Sequence, residues 1–232
     1  MCGCTANGMM KMMNNNFLLT KSIGQTALEK VYAAIFPNKC LFCQRVLEDI
    51  AEIVCVKCCG LLGNSPTHMP NTYIACDYAN EAVRNVIHRF KYGGKRMLTR
   101  PMAEAIFQHF GKIDADCMVC VPLHEKRAKE RGYNQAALLA TELSRLMGIA
   151  ACDGMLRTRE TAKQFDLNPE ERAANVSGAF ALKDGFCAAG KRVLLVDDVF
   201  TTGATSDECA KVLMEAGAES VEIVVFAMSA PG

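Results

Sequence analysis

Two adjacent carboxylates, Asp197 and Asp198, stand between an apolar run and a turn of small hydroxyl residues in VLLVDDVFTTGAT, residues 193–205. The run Arg192–Val196 reads as a buried strand that delivers both acids at its carboxyl end, where open α/β sheets hold ligands. Thr201, Thr202, Gly203, Ala204 and Thr205 then make a tight loop whose backbone N–H groups can close on an anion. The helix that follows adds its positive end, and the spacing of Thr205 and Glu208 fits a capping box. The hydroxyls of Thr201, Thr202 and Thr205 can donate to phosphate oxygens. Two acids beside an anion seat would repel a bare phosphate. They suit sugar hydroxyls, or Mg²⁺ held through water. A phosphorylated sugar with vicinal hydroxyls satisfies both halves. No Lys follows the glycine, which excludes the loop of P-loop ATPases.

A second cluster of charge lies in VPLHEKRAKERGYNQ, residues 121–135. Arg127 and Arg131 are four apart, on one helical face, and Gln135 extends the stripe. Several cations just past a strand end could neutralise a pyrophosphate. Lys129 and Glu130 are expected on the solvated side, and His124 adjoins the same segment. Residues 156–180, LRTRETAKQFDLNPEERAANVSGAF, are polar and poor in large apolar groups, and 157–178 reads as a long loop. Such a loop could close over a reactive sugar and exclude water, with Thr161, Gln164, Arg172 and Asn175 as its candidate contacts.

The third chemistry is metal binding. Cys40 and Cys43, then Cys55 and Cys58, form two pairs with two residues inside each. Four thiolates at that spacing suit tetrahedral Zn²⁺. Cys59 directly follows Cys58 and is an alternative fourth ligand. With no histidine and no spare ligand, the metal is expected to be structural. Cys117, Cys120, Cys152, Cys187 and Cys209 sit in apolar or helical contexts and read as core.

These groups need a scaffold. Residues 1–36 read as a flexible tail followed by an amphipathic helix from Phe17 to Phe36, with Leu28, Val31, Tyr32 and Ile35 at helical spacing. Residues 37–62 hold the cysteine module, and 60–72 carry linker residues. The larger domain spans 73–232. There, Asn80 caps a helix with Val83, Val86, Ile87 and Phe90 inward, stopped at Gly93-Gly94. Pro101 opens a second helix, closed by Gly111, and Gln135–Met147 makes a third, followed by Gly148. Cys117–Val121, Arg192–Val196 and Val221–Phe226 read as buried strands, and Thr205–Ala216 as a helix between the last two. Strands alternating with helices predict an α/β fold with a parallel sheet.

The 232 residues carry a net charge of +1, so the whole chain has no strong electrostatic signature. Between Glu81 and Arg145, however, 12 Lys/Arg face 7 Asp/Glu, whereas from Leu195 onward 7 Asp/Glu face Lys211 alone. A basic middle and an acidic end suit an anionic ligand held with a cation. No secretory leader pattern and no run of about 18 apolar residues is present, so a cytoplasmic protein without a membrane span is expected. Thirteen cysteines in such a chain argue for thiols and metal ligands rather than a disulfide framework.

The segment VLLVDDVFTTGAT resembles the phosphoribosyl pyrophosphate (PRPP) motif of type I phosphoribosyltransferases. With FKYGGKR at 90–96, VPLHEKRAKERGYNQ, LRTRETAKQ and ERAANVSGAF before it, in this order, the chain resembles the ComF family over roughly residues 36–228. Phe200 stands where that family often has Tyr. The resemblance implies a type I phosphoribosyltransferase fold with a small N-terminal zinc-ribbon-like module. It implies that Asp197 and Asp198 contact ribose hydroxyls and that the Thr201–Thr205 loop holds the 5-phosphate. The implied reaction is pentosyl transfer from PRPP with Mg²⁺, with Arg127, Arg131 and the mobile loop covering the leaving pyrophosphate. The acceptor is unspecified: only Ala227 to Gly232 follow the last predicted strand, so no C-terminal hood is visible. The resemblance also implies a link to DNA uptake, through single-stranded DNA or DNA-uptake proteins, or a PRPP sensor without catalysis. The Arg84–Arg100 stretch, with Phe90 and Tyr92 interleaved, is the segment that could serve single strands.

Overall fold

The apolar run ahead of the two acids forms the middle strand of a five-stranded parallel sheet. The computed structural model describes residues 37–47, 52–63, 69–92, 96–160 and 169–229. The chain divides into two units, Met1–Asn38 and Lys39–Gly232, and every helix and strand among the described residues lies in the second. The amphipathic helix expected at 17–36 falls outside the described residues.

The order of elements is β1 (Thr72–Asp77), α1 (Glu81–Tyr92), α2 (Thr99–Phe110), β2 (Cys117–Cys120), α3 (Glu125–Arg131), α4 (Gln135–Met147), β3 (Ala150–Cys152), β4 (Met155–Arg157), α5 (Pro169–Val176), β5 (Phe180–Leu182), β6 (Arg192–Phe200), α6 (Ala204–Glu215) and β7 (Ser220–Met228). The main sheet runs β1-β7-β6-β2-β3, and all its pairings are parallel. Each of β6 and β7 is covered on both faces, which explains their unbroken apolar runs. One core packs α1, α2 and α4 against Leu194, Val196, Val224 and Phe226. The other packs α6 and β5 against Val193, Leu195, Ile223 and Val225. Phe90 and Phe226 are fully buried, and each such side chain contributes roughly 1.5–3 kcal/mol by leaving water.

Three expectations are corrected here. The strand Arg192–Val196 continues to Phe200, so both acids lie within β6 rather than after it. The long loop at 157–178 contains α5, with Pro169 at its first position, where a missing N–H costs nothing. Its flanks pair as the antiparallel ribbon β4–β5, Leu156 opposite Ala181. Finally, Cys187 is exposed, whereas Cys117 and Cys209 are core as expected.

The cysteine segment belongs to the same unit as the sheet. Cys40, Leu41, Phe42, Leu47 and Cys55 are buried in the first core, and the Phe42 ring lies 6.4 Å from that of Phe226. Leu62 bridges Cys76 on β1, and Gly63 N–H donates to Ala75 O.

Candidate functional site

Strand β2 ends at Cys120, opposite Val196, and Val121 N–H makes a last bond to Val196 O. On that side β6 runs on past its neighbour. Asp197 and Asp198 therefore project beyond the end of β2, beside the segment that enters α3. This is the carboxyl-end crevice where open parallel sheets take ligands. A cavity of about 150 Å³ opens there. Its charged and polar lining comprises Lys91, Arg127, Arg131, Asn134, Gln135, Arg157, Asp197, Asp198, Thr201 and Thr205.

The acids differ in surroundings. Asp198 is 7% exposed, and Lys91 Nζ lies 3.1 Å from its Oδ2. That oxygen is buried and receives no hydrogen bond, so Lys91 supplies charge rather than an aligned donor. Asp197 Oδ1 accepts from Asp198 N–H at 2.8 Å. Burial and then the Asp198 charge push the Asp197 carboxyl up to about 7, against the opposing pull of Lys91. A buried oxygen lacking a hydrogen bond beside a second carboxylate fits a site for sugar hydroxyls or for hydrated Mg²⁺. That ion, when bound, would neutralise the acids.

The turn after β6 is built around Gly203. Its φ is +83°, and a Cβ there would lie 2.5 Å from Phe200 Cζ. The capping-box expectation is corrected: α6 starts at Ala204 with Gly203 as its N-cap and no side-chain cap bond. Thr205 sits inside the first turn and lines the cavity, while Glu208 Oε1 accepts from Gly178 N–H at 2.7 Å. The first N–H groups of α6 lack intrahelical acceptors and are available to an anion. Thr201 also lines the cavity; Thr202 and Ala204 complete the turn.

Arg127 and Arg131 come from one face of α3, as the four-residue spacing predicts. Arg131 donates to Gln135 Oε1 at 3.3 Å and lies 5.3 Å from the Tyr92 ring centroid. Gln135 is buried with its Nε2 unbonded. His124 caps α3, its Nδ1 accepting from Lys126 N–H. Lys129 and Glu130 are exposed. Thr161 and Gln164 lie outside the described residues; Arg172 falls in α5.

Lys91 and Arg157 add charge to the lining that the sequence pattern does not single out. Lys91, on the last turn of α1, reaches inward to Asp198. Arg157 sits on β4, where burial and then the charge of Arg127 lower its pKa. Two guanidiniums lining one cavity favour an anion between them.

The cysteine cluster passes a geometric test for zinc. Sulfurs 2.3 Å from one tetrahedral ion would be ~3.8 Å apart; Cys43 Sγ and Cys55 Sγ are 3.7 Å apart. The sulfurs of Cys40, Cys43, Cys55 and Cys58 all lie within 4.8 Å of one another. Cys59 Sγ instead donates to Val56 O at 2.9 Å, which favours Cys58 as the fourth ligand. Four cysteines leave no open position, so the ion would be structural.

Residues 134–231, from the start of α4 to the end of the sheet, match the family described as phosphoribosyl transferase domain. Together with the strand order, that match defines a phosphoribosyltransferase-type fold carrying a four-cysteine module. Competence protein F of Haemophilus influenzae is 34% identical over 155 residues, 62% of this chain and 66% of that protein. DNA utilization protein YhgH of Escherichia coli K12 is 30% identical over 173 residues, 71% of this chain and 75% of that protein. Competence protein ComFC of Streptococcus pneumoniae is 32% identical over 143 residues, 62% of each. The chain belongs to the ComF family. Among solved structures, adenine phosphoribosyltransferase from Leishmania tarentolae superposes with a TM-score of 0.40 at 11% identity, over 70% of this chain and 93% of that one. Glutamine PRPP amidotransferase from B. subtilis gives 0.37 at 24% identity, over 60% of this chain and 26% of that one. No described helix is long and apolar enough to cross a membrane.

Proposed function

We propose that the cleft binds PRPP with Mg²⁺ and transfers its 5-phosphoribosyl group to an acceptor, releasing pyrophosphate. The observation that carries this reading is the joint lining of one cavity by Asp197 and Asp198, by Thr201 and Thr205, and by Arg127, Arg131 and Arg157. The acids accept the ribose hydroxyls. The turn and the amino end of α6 hold the 5-phosphate. The arginines take the pyrophosphate, whose departure leaves positive charge on the sugar carbon that the acceptor attacks. Catalysis by such a site is positioning and charge stabilisation. Thr161, Gln164 and Arg172 are further candidate ligand contacts in this reading.

Calorimetric titration of PRPP with and without Mg²⁺ tests the site in wild type and in the double variant Asp197→Asn/Asp198→Asn. Binding is expected to depend on Mg²⁺ and to be lost in the variant; equal affinity in both sinks the reading. Pyrophosphate release with candidate acceptors then separates a transferase from a PRPP sensor.

The relatives' names, competence protein and DNA utilization protein, support a role connected with DNA uptake. A second reading, single-strand binding, rests on the exposed rim of the cleft. Tyr92 is 66% exposed beside Arg131 and His88, whereas Phe90 is core. Oligonucleotide binding that weakens steeply with salt and is lost in Tyr92→Ala favours it.

A further inference from the structure

The cleft already contains a cation poised on one of its acids. Lys91 Nζ lies 3.1 Å from Asp198 Oδ2, with the two side chains 21% and 10% exposed. The partners are unequal in freedom. Asp198 stands in β6, where its neighbours Asp197 and Val199 pair with Val225 and Ala227 of β7. Lys91 is a four-carbon stem on the last turn of α1 and lines the same cavity as Arg127 and Arg131. Two neighbouring carboxylates at a sheet end are costly to leave uncompensated when the site is empty. Asp198 Oδ2, buried and without a hydrogen bond, leans on this one ammonium.

We infer that Lys91 is an internal counter-cation for Asp198, holding the place of ligand-borne Mg²⁺ until PRPP delivers it. The inference rests on the PRPP reading and deepens it. Free metal entering the empty cleft must displace an ammonium that has nowhere better to go. Metal arriving with PRPP brings the anion that receives the displaced ammonium. Lys91 then adds its charge to those of Arg127 and Arg131 on the pyrophosphate. Metal and PRPP therefore load together, and free metal alone does not occupy the acids.

The test uses the zinc-loaded full chain and Mn²⁺ as the metal probe, read by electron paramagnetic resonance without PRPP. Wild type and Lys91→Arg are expected to bind Mn²⁺ weakly. Lys91→Met is expected to bind it at least about tenfold more tightly, because a competing charge in direct contact has gone. The gain in Mn²⁺ affinity on adding PRPP should shrink by a similar factor in Lys91→Met. Equal Mn²⁺ affinity in wild type and Lys91→Met overturns the inference. If Lys91→Met fails to fold, the Lys91 ¹⁵Nζ resonance of wild type decides instead. It should shift with Mg²⁺ plus PRPP and hold still with Mg²⁺ alone; no shift with the complex overturns the inference. The metal-only measurement needs no PRPP, so its outcome is separable from failure of PRPP to bind.

Discussion

Arg89 Nη2 donates to Gln44 Oε1 across 3.2 Å, joining the helix that carries Lys91 to the loop that carries the first cysteine pair. Gln44 is itself a brace. Its φ is +62°, and its Nε2 donates to Cys40 O at 2.9 Å and Leu41 O at 3.1 Å. The backbone between Cys40 and Cys43 is thus folded round the sulfur cluster and tied to α1 at once. A bound metal would fix both, and the core that shelters Leu41 and Phe42 would depend on it.

Metal removal is therefore expected to act far beyond the cysteines. The protein should carry one zinc per chain. Stripping it with a chelator, or Cys43→Ser, should lower urea stability by more than about 4 kcal/mol, the range reached by loss of a structural metal. PRPP affinity should fall as well, because α1 loses its tie through Arg89. Cys59→Ser should retain full zinc, since that thiol bonds Val56 O instead. Full zinc in Cys58→Ser with loss in Cys59→Ser would reverse the ligand assignment.

Gly203→Ala should damage the turn after β6, the proposed phosphate seat, without touching a charge. At φ +83° an alanine is strained, and its Cβ would meet Phe200 Cζ at 2.5 Å and Asp207 Oδ2 at 2.8 Å. Phe200 is 2% exposed and has no room to retreat. A cost of about 1–3 kcal/mol in urea unfolding is expected, together with loss of PRPP binding in calorimetry. A variant that binds PRPP as wild type would show that this turn is not the phosphate seat.

The paired acids, the small-residue turn and the Arg127–Arg131 stripe were legible because each is local in sequence. Strand period, helix period and a glycine suffice to place them. Lys91 was not legible. By position it belongs with Arg84 and His88, and only the burial of α1 in the first core brings its stem to Asp198. Arg157 was hidden for a different reason. Strand β4 is three residues long and pairs with β5 across the intervening segment, so no periodicity announces it. The capping box misled because a left-handed glycine can begin a helix without a side-chain cap, which moved the start of α6 ahead of Thr205. Helix α5 offered Pro169 as a start signal but little apolar stripe to confirm it.

Pyrophosphate alone should bind the cleft, because Arg127 and Arg157 face a shared space in which their charges repel. Arg157 lies half-buried against the Phe180 ring at 5.3 Å. An anion between the two would turn that repulsion into attraction. Pyrophosphate is expected to raise the melting temperature of wild type. Arg127→Ala and Arg157→Gln should each weaken its binding by about 1.5–3 kcal/mol, the worth of a hydrogen bond to a charged group. Arg145→Ala, on the exposed side of α4 and paired with Glu142, serves as the control and should not.

At the other end of β6, Arg192 predicts a pH dependence that owes nothing to the cleft. Its Nη2 lies 2.8 Å from Asp116 Oδ1, its Nε donates to Asp116 Oδ2, and its backbone N–H donates there at 2.9 Å. The Arg192 side chain first, then its backbone N–H, hold the Asp116 carboxyl down to about 2 from an ordinary 3.8. The native state thus binds fewer protons than the unfolded chain between those values, and stability rises with pH across that window. The contribution is fully present above the ordinary carboxylate value and is lost as pH falls through the native one. The pair is exposed, so the effect is screened and modest. Asp116→Asn removes it. The stability difference between wild type and Asp116→Asn, both zinc-loaded, should therefore be constant above about pH 5 and shrink as pH falls toward 2. Taking the difference cancels the acid sensitivity of the cysteine cluster, which both proteins share. A difference that grows on acidification would mean that Asp116 is not held by Arg192 in solution.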